Sequence, residues 1–397
     1  MVLDSGVVVP NSIFTSLYSE TAIYFLTPDR TSLVPEARWF LNSGQAANAV
    51  QGLLAGPSPW LAPAAHSAIP AETRLTQRGV RVSDGVAQVD LSSDIASLPP
   101  SELIAIEVQI SKTLLNLPGI QEVKLTSEGA DLDFPSKIDL SPYPYASYTL
   151  AGLSGGRPAL VSGGEVSVTG ESGAGLGLTA LATSYNEPAK VGAALGNEGK
   201  SIYAVFFDGS GPQQLMSGNR LVAPSIDSHG WVWSANAVSN GELNAIHLTA
   251  IRHSPFSLRT SAVSREGSRM VIVTDQKGEV QMNVVALARD SGGTPTEIGV
   301  PARFGQSLVD VTDVAWVSPV RLAVVGRQST SSANSIHIVG IGAPTTTLPA
   351  VENVANLTAG RGQDTIVIQN DAGNLYSYDG VGWRLIAEGV ASPALPG

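Results

Sequence analysis

Few residues of this 397-residue chain have the types and spacing that chemistry requires. Five histidines, His66, His229, His247, His253 and His337, stand apart, and none forms a His-x-His or His-Glu-x-x-His pair able to bring two ring nitrogens to one metal. Metal catalysis is disfavoured, and each histidine reads as a turn or surface residue. Zero cysteines exclude disulfides, thiolate ligands and thiol nucleophiles. Gly152-Leu153-Ser154-Gly155-Gly156 has the spacing of a nucleophile elbow, but an elbow needs a strand before it and a helix after it, and its surroundings read as all-β. Gly199-Lys200-Ser201 ends like a phosphate loop, yet Ala194 stands where the leading glycine belongs and a strand follows, so it reads as a turn. Gly173-Ala174-Gly175-Leu176-Gly177 could cradle an anion, but no helix N-terminus follows to add its dipole. Asp131 with Asp133, and Asp90 with Asp94, could serve as the two acids of glycoside hydrolysis; on strands and strand ends such acids are more often solvated edges.

Two further groups suit binding rather than reaction. Trp231 and Trp233 lie on one side of a strand by the period of two, with Trp316 and Trp383 further on. Such aromatics usually fill a core, while an exposed pair would form a binding hot spot. Arg252, Arg259, Arg265 and Arg269 cluster in one stretch, as a basic rim for an acidic partner or as a plain solvated edge. No catalytic, cofactor-binding or metal-binding residue emerges, no cofactor is expected, and the reading is of a protein that is not an enzyme. No partner-binding residue is singled out.

The elements that would carry these residues fall into two parts, 1–140 and 141–397. In the first, Thr21–Thr27 and Leu33–Leu41 read as a hairpin around Pro28-Asp29-Arg30. Ser43 stands as N-cap before Ala46, Ala49, Val50, Leu53 and Leu54, whose spacing paints one helix face, and Gly56-Pro57 stops it. Arg74–Ser83 and Val86–Leu91 flank Asp84-Gly85, a dipeptide that tolerates the positive φ of a tight turn. Pro100 opens a second helix carrying Leu103, Ile106, Ile110, Thr113 and Leu114, ended by Pro118-Gly119. Strands over Ile120–Thr126 and Asp131–Phe134 complete an α/β (α+β) domain with two helices on a mixed sheet.

From about residue 141 helical spacing disappears. Short alternating runs recur at 158–162 with 165–169, then at 201–207, 231–235, 270–274, 322–325 and 365–369. Small-residue segments precede several of them: Val191–Gly199, Ala223–Gly230, Thr260–Gly267 and Ala355–Gly362. Centres near Tyr203, Val232, Val271, Ala323 and Ile366 lie 29, 39, 52 and 43 residues apart, close to the length of a four-stranded propeller blade. An all-β propeller of about six blades is expected, and Val7–Pro10 either completes its last blade or leads into the first domain.

Composition narrows the class. Hydrophobic residues make up 43% and charged residues 14%, enough to bury large cores. The formal charge of −11 divides as −7 over 1–140 and −4 over 141–397, so neither part offers the basic field that nucleic acid or anionic lipid demands. No run of about 18 apolar residues suggests a membrane span. The start, Met1-Val2-Leu3-Asp4-Ser5, lacks the charged and apolar regions of an export signal.

Several segments resemble a known family. Tyr24-Phe25, Val34-Pro35-Glu36-Ala37-Arg38-Trp39, Leu53–Ser58, Ser67–Pro70, Gly85–Leu91 and Thr113-Leu114-Leu115 look like a GerMN domain. A GerMN domain followed by a propeller, with Val8–Phe14 leading in, resembles the LpqB family of actinobacterial lipoproteins. Members begin with a signal peptide and a lipid-bearing cysteine, so the resemblance implies a missing N-terminal region and a lipid anchor absent from this sequence. It further implies an extracytoplasmic protein on the outer face of the cell membrane. That protein would be an accessory of a two-component system that contacts the extracellular sensor domain of an MtrB-like histidine kinase, with a role in cell-envelope homeostasis and cell division. The alternative is a propeller that binds or cleaves cell-wall glycans, in which Asp and Trp should converge.

Overall fold

In a computed structural model the described residues are 10–132, 134, 140, 149–170, 173–185, 190–235, 242–245, 251–252, 257–341 and 343–396. The backbone divides into one unit of Met1–Leu26, Leu33–Pro57 and His66–Leu140, and a second of Thr27–Ser32, Ser58–Ala65 and Ser141–Gly397.

The first unit begins with a helix absent from the sequence reading, α1 (Asn11–Leu17), entered from Pro10 at its N-cap. Seven residues are too few for an apolar period to show. It leads into β1 (Tyr18–Leu26), which pairs antiparallel with β2 (Leu33–Leu41). α2 (Gln45–Leu54) follows and buries Ala49, Val50 and Leu53, but its N-cap is Gly44 at φ 72°, not Ser43. A left-handed residue there suits glycine, and no side-chain cap is made. β3 (Leu75–Ser83) and β4 (Val86–Leu91) form the expected hairpin, with Asp84 and Gly85 at φ 50° and 78° as a two-residue turn of this hand requires.

α3 (Pro100–Leu114) buries Leu103, Ile106, Ile110, Thr113 and Leu114, the apolar face read from spacing. It is tied to β1 where the Tyr24 N–H donates to Thr113 Oγ1 at 3.1 Å. β5 (Glu122–Ser127) then pairs parallel to β4, and β6 (Ala130–Asp131) antiparallel to β5. The sheet β3-β4-β5-β6 is mixed as expected, but β1 and β2 form a sheet of their own. The last strand is shorter than read, and Asp133 lies outside the described residues.

In the second unit the described residues form six antiparallel sheets, spanning 180–217, 225–252, 257–304, 310–347 and 354–387, with a sixth that joins Ala391–Ala394 to Leu150–Ser154, Arg157–Ser162 and Glu165–Val168. The two ends of the unit therefore meet in one sheet, where Ala391 pairs with Leu153 and Ala394 with Ala151. Val7–Val9, the other segment considered for this place, lies outside the described residues.

The first strands of the sheets touch in turn: Ala180–Thr183, Ser225–Ile226, Ser257–Val263, Asp310–Ser318, Val354–Thr358 and Ala391–Ala394, which returns to Ala180–Thr183. Side chains from neighbouring sheets mesh between them, as where Trp316 packs with Val271, Val284 and Val324. Each sheet alone would leave an apolar face wet, so stacking is what stabilises it.

The repeat spacing needs one correction. Ser201–Phe206 is the third strand of its sheet and Val191–Gly196 the second, whereas Val232–Ala235 is a second strand. The interval of 29 compared unlike strands; Ala194 to Val232 is 38 residues. Small residues also stand where second strands pass close to first ones. A Cβ on Gly326 would stand 2.5 Å from the Asp310 carbonyl oxygen, a backbone atom that cannot turn aside. Gly326→Ala is expected to destabilise the protein by about 1–3 kcal/mol, the usual range for overpacking, read as a fall in urea midpoint with the slope unchanged.

Candidate interaction surface

The residues singled out for chemistry are not brought together. Ser154 ends strand Leu150–Ser154, and Gly155 and Gly156 at φ 58° and 72° turn the chain into another strand, so no helix follows an elbow. Lys200 lies in a turn, 3.2 Å from Glu198, and Ser201 opens a strand. Gly173, Gly175 and Gly177 are positive-φ loop residues. Asp90 is buried and accepts from Thr126 Oγ1 at 2.6 Å, from Thr76 Oγ1 and from the Gly129 N–H at 2.7 Å. Burial opposes its ionisation, but these donors hold its carboxyl below the usual range. Asp94 accepts from Ser92 and Thr73 instead, so the two acids are separate structural acceptors and face no common cleft.

His66 pairs with Leu26 through its backbone, and His337 is buried with Nδ1 2.9 Å from Thr347 Oγ1. Burial pushes the His337 ring below its ordinary pKa. His229 occupies a turn, and burial and the nearby Arg289 guanidinium lower its pKa. His247 and His253 lie outside the described residues. Among the described residues no three of His, Cys, Asp and Glu gather as a metal cluster.

The arginine cluster is not a basic rim, which corrects that expectation. Arg265 is 3% exposed, and its Nη2 donates to the carbonyls of Trp316, Ala359 and Gly360 at 2.6, 3.0 and 2.7 Å. Arg269 is fully buried, donates through Nε to Glu266 at 2.6 Å, and lies 4.7 Å from the Trp316 ring. Arg259 remains near the surface, bridging Asp275 and Asp310. The side chain of Arg252 lies outside the described residues.

The tryptophans divide as their burial decides. Trp316 and Trp233 are core, and Trp231 packs partly buried against the Trp233 cluster. Trp233 Nε1 donates to Asp227 Oδ2 at 2.9 Å, and Arg289 pairs with the same carboxylate. This is an Asp–Trp pair, but a buried one. Aspartate sits 1% exposed and the indole fully enclosed, so no sugar could stack there.

Part of what remains accessible is apolar. The hairpin of Leu375–Tyr378 and Trp383–Ala387 carries Val381 at its tip, 84% exposed, with Leu385 exposed on the adjoining strand. The tip is stiff. Asp379 accepts from the N–H groups of Val381 and Gly382 at 3.0 and 2.8 Å, and Tyr378 Oη donates to the Gly380 carbonyl at 2.9 Å. Trp383 lies half-buried, its ring centroid 5.2 Å from that of Tyr378 and its Nε1 donating to the Pro349 carbonyl. On the first unit, Phe14 stacks on Tyr18 at 4.9 Å and meets Trp39 at 4.8 Å, beside exposed Ile13, Leu17 and Leu41. Rigid aromatic and aliphatic groups held at a surface suit protein recognition, since little side-chain freedom is lost on binding. The sequence reading singled out Trp383 alone from these two sets, because isolated apolar residues give no periodic signal.

The fold and these surfaces define a GerMN-type α/β domain followed by a β-propeller. The sporulation and spore germination domain model matches residues 22–133, and the lipoprotein LpqB beta-propeller domain model matches 157–396, more than half of the chain. The chain belongs to the LpqB β-propeller family. It is 24% identical to lipoprotein LpqB of Thermobifida fusca (strain YX) over 96% of this chain and 71% of that protein. It is 23% identical to lipoprotein LpqB of Cutibacterium acnes (strain DSM 16379 / KPA171202), over 98% and 73%. The first GerMN domain of the sporulation protein GerM from Bacillus subtilis is 19% identical over 30% of this chain and 90% of that chain, with a TM-score of 0.25. No helix among the described residues is long and apolar enough to cross a membrane.

Proposed function

We propose that this chain acts as a non-catalytic, extracytoplasmic, lipid-anchored accessory protein that binds the extracellular sensor domain of an MtrB-like histidine kinase, and thereby tunes cell-envelope homeostasis and cell division. The relatives' names supply the lipid anchor, and the outer face of the cell membrane is the corresponding location. The observation that carries the binding role is the stiff hairpin presenting Val381, Leu385 and Trp383, a surface built for contact and without reacting groups. Nucleic acid is not a partner on this reading, given a net charge of −11.

Titration calorimetry of the purified protein against the kinase's extracellular domain should show saturable binding. Val381→Asp, which places a charge at the apolar tip, should weaken it at least about tenfold, the loss of one anchoring contact. No heat of binding, even with the lipidated protein in bilayers, rejects the adaptor role. Saturable thermal stabilisation by cell-wall glycan fragments would favour the glycan alternative instead.

A further inference from the structure

The first strands of the six sheets enclose a cavity of about 110 Å³. Side-chain oxygens bind several of these strands to the next. Ser225 Oγ accepts from the Val263 N–H, Asp313 Oδ2 from Leu357, Thr358 Oγ1 from Leu395 and Ser392 Oγ from Leu181, at 3.1, 2.9, 3.0 and 2.8 Å. Two hydroxyls in the lining are left over. Thr183 Oγ1 and Ser261 Oγ have no hydrogen-bond partner, although their residues are 2% and 6% exposed. Native interiors rarely leave such groups unsatisfied, so their lone pairs call for an occupant.

Charge says which kind. Asp313 is the one ionisable residue in the lining, and among the described residues no cationic side chain pairs with it. Each carboxylate oxygen accepts one backbone N–H, from Val314 and Leu357, both at 2.9 Å, which leaves lone pairs free.

We propose that this axial cavity binds one small hard cation at the Asp313 carboxylate, with its shell of water reaching the unpartnered hydroxyls of Thr183 and Ser261 across the lining. Oxygen-only ligands select sodium, calcium and their neighbours over softer metals. A single carboxylate makes the affinity weak, in the range suited to ions abundant outside cells.

The test is thermal unfolding of the whole protein in choline chloride, then in sodium, potassium, magnesium or calcium chloride at matched ionic strength. At least one arm should raise Tm saturably by about 4 °C, and the arms name the ion. Asp313→Asn should abolish that rise, and Thr183→Val with Ser261→Ala, which leaves the carboxylate in place, should at least halve it. A Tm that follows ionic strength alone in every arm overturns the site, as does a rise that both variants retain. Should Asp313→Asn fail to fold, the double variant decides on its own.

Discussion

Arg265→Ala is expected to lower the unfolding free energy by about 3–5 kcal/mol, the combined loss from buried carbonyls left without a charged donor and from the void in the packing. The guanidinium leaves one sheet and satisfies the Trp316 carbonyl within the first strand of the next and the Ala359 and Gly360 carbonyls just past the first strand of the one after, so three sheets share it. Alanine would strip those carbonyls of their donor and open a void where a 3% exposed side chain lay. Arg265→Lys should recover little, since one ammonium on a flexible stem lacks the planar fork. Urea unfolding followed by tryptophan fluorescence measures both variants. A loss below about 1 kcal/mol would show that solvent or a neighbour replaces the contacts.

Asp227→Ala should cost a similar amount, about 3–5 kcal/mol, for a different reason. Its carboxylate gathers the Trp233 indole N–H, the N–H groups of His229 and Trp231 at 2.9 Å each, and the Arg289 guanidinium. Removing it strands a buried cation that also lies 5.9 Å from the Trp233 ring. Much of the cost is therefore the unpaired arginine, and Asp227→Ala combined with Arg289→Met should be more stable than Asp227→Ala alone. Additive losses in that double-mutant cycle would show that the pair is not coupled.

The sequence made local features legible and concealed those that depend on closure. The Asp84-Gly85 turn and the buried face of α3 are written in residues next to one another or one helical turn apart. Strand identity within a sheet is not. Val191–Gly196 and Ser201–Phe206 are both short and apolar, and only the inner strand Ala180–Thr183 fixes them as second and third. Arg265 and Arg269 were indistinguishable from surface arginines, because the carbonyls and the indole that receive them come from 47 to 95 residues further on. Trp231 and Trp233 could be read as core or as an exposed pair for the same reason: spacing reports neighbours, not depth.

The strand that finishes the sheet begun at Leu150 is Ala391–Ala394, from the far end of the unit. A growing polypeptide therefore cannot complete that sheet until Ala394 has been made, and a chain stopped short of Ala391 keeps an open sheet edge. The loop-closure entropy of joining such distant segments is met once, when that strand docks. Completion of the sheet is thus timed by Ala391–Ala394, and removing that strand would reopen it.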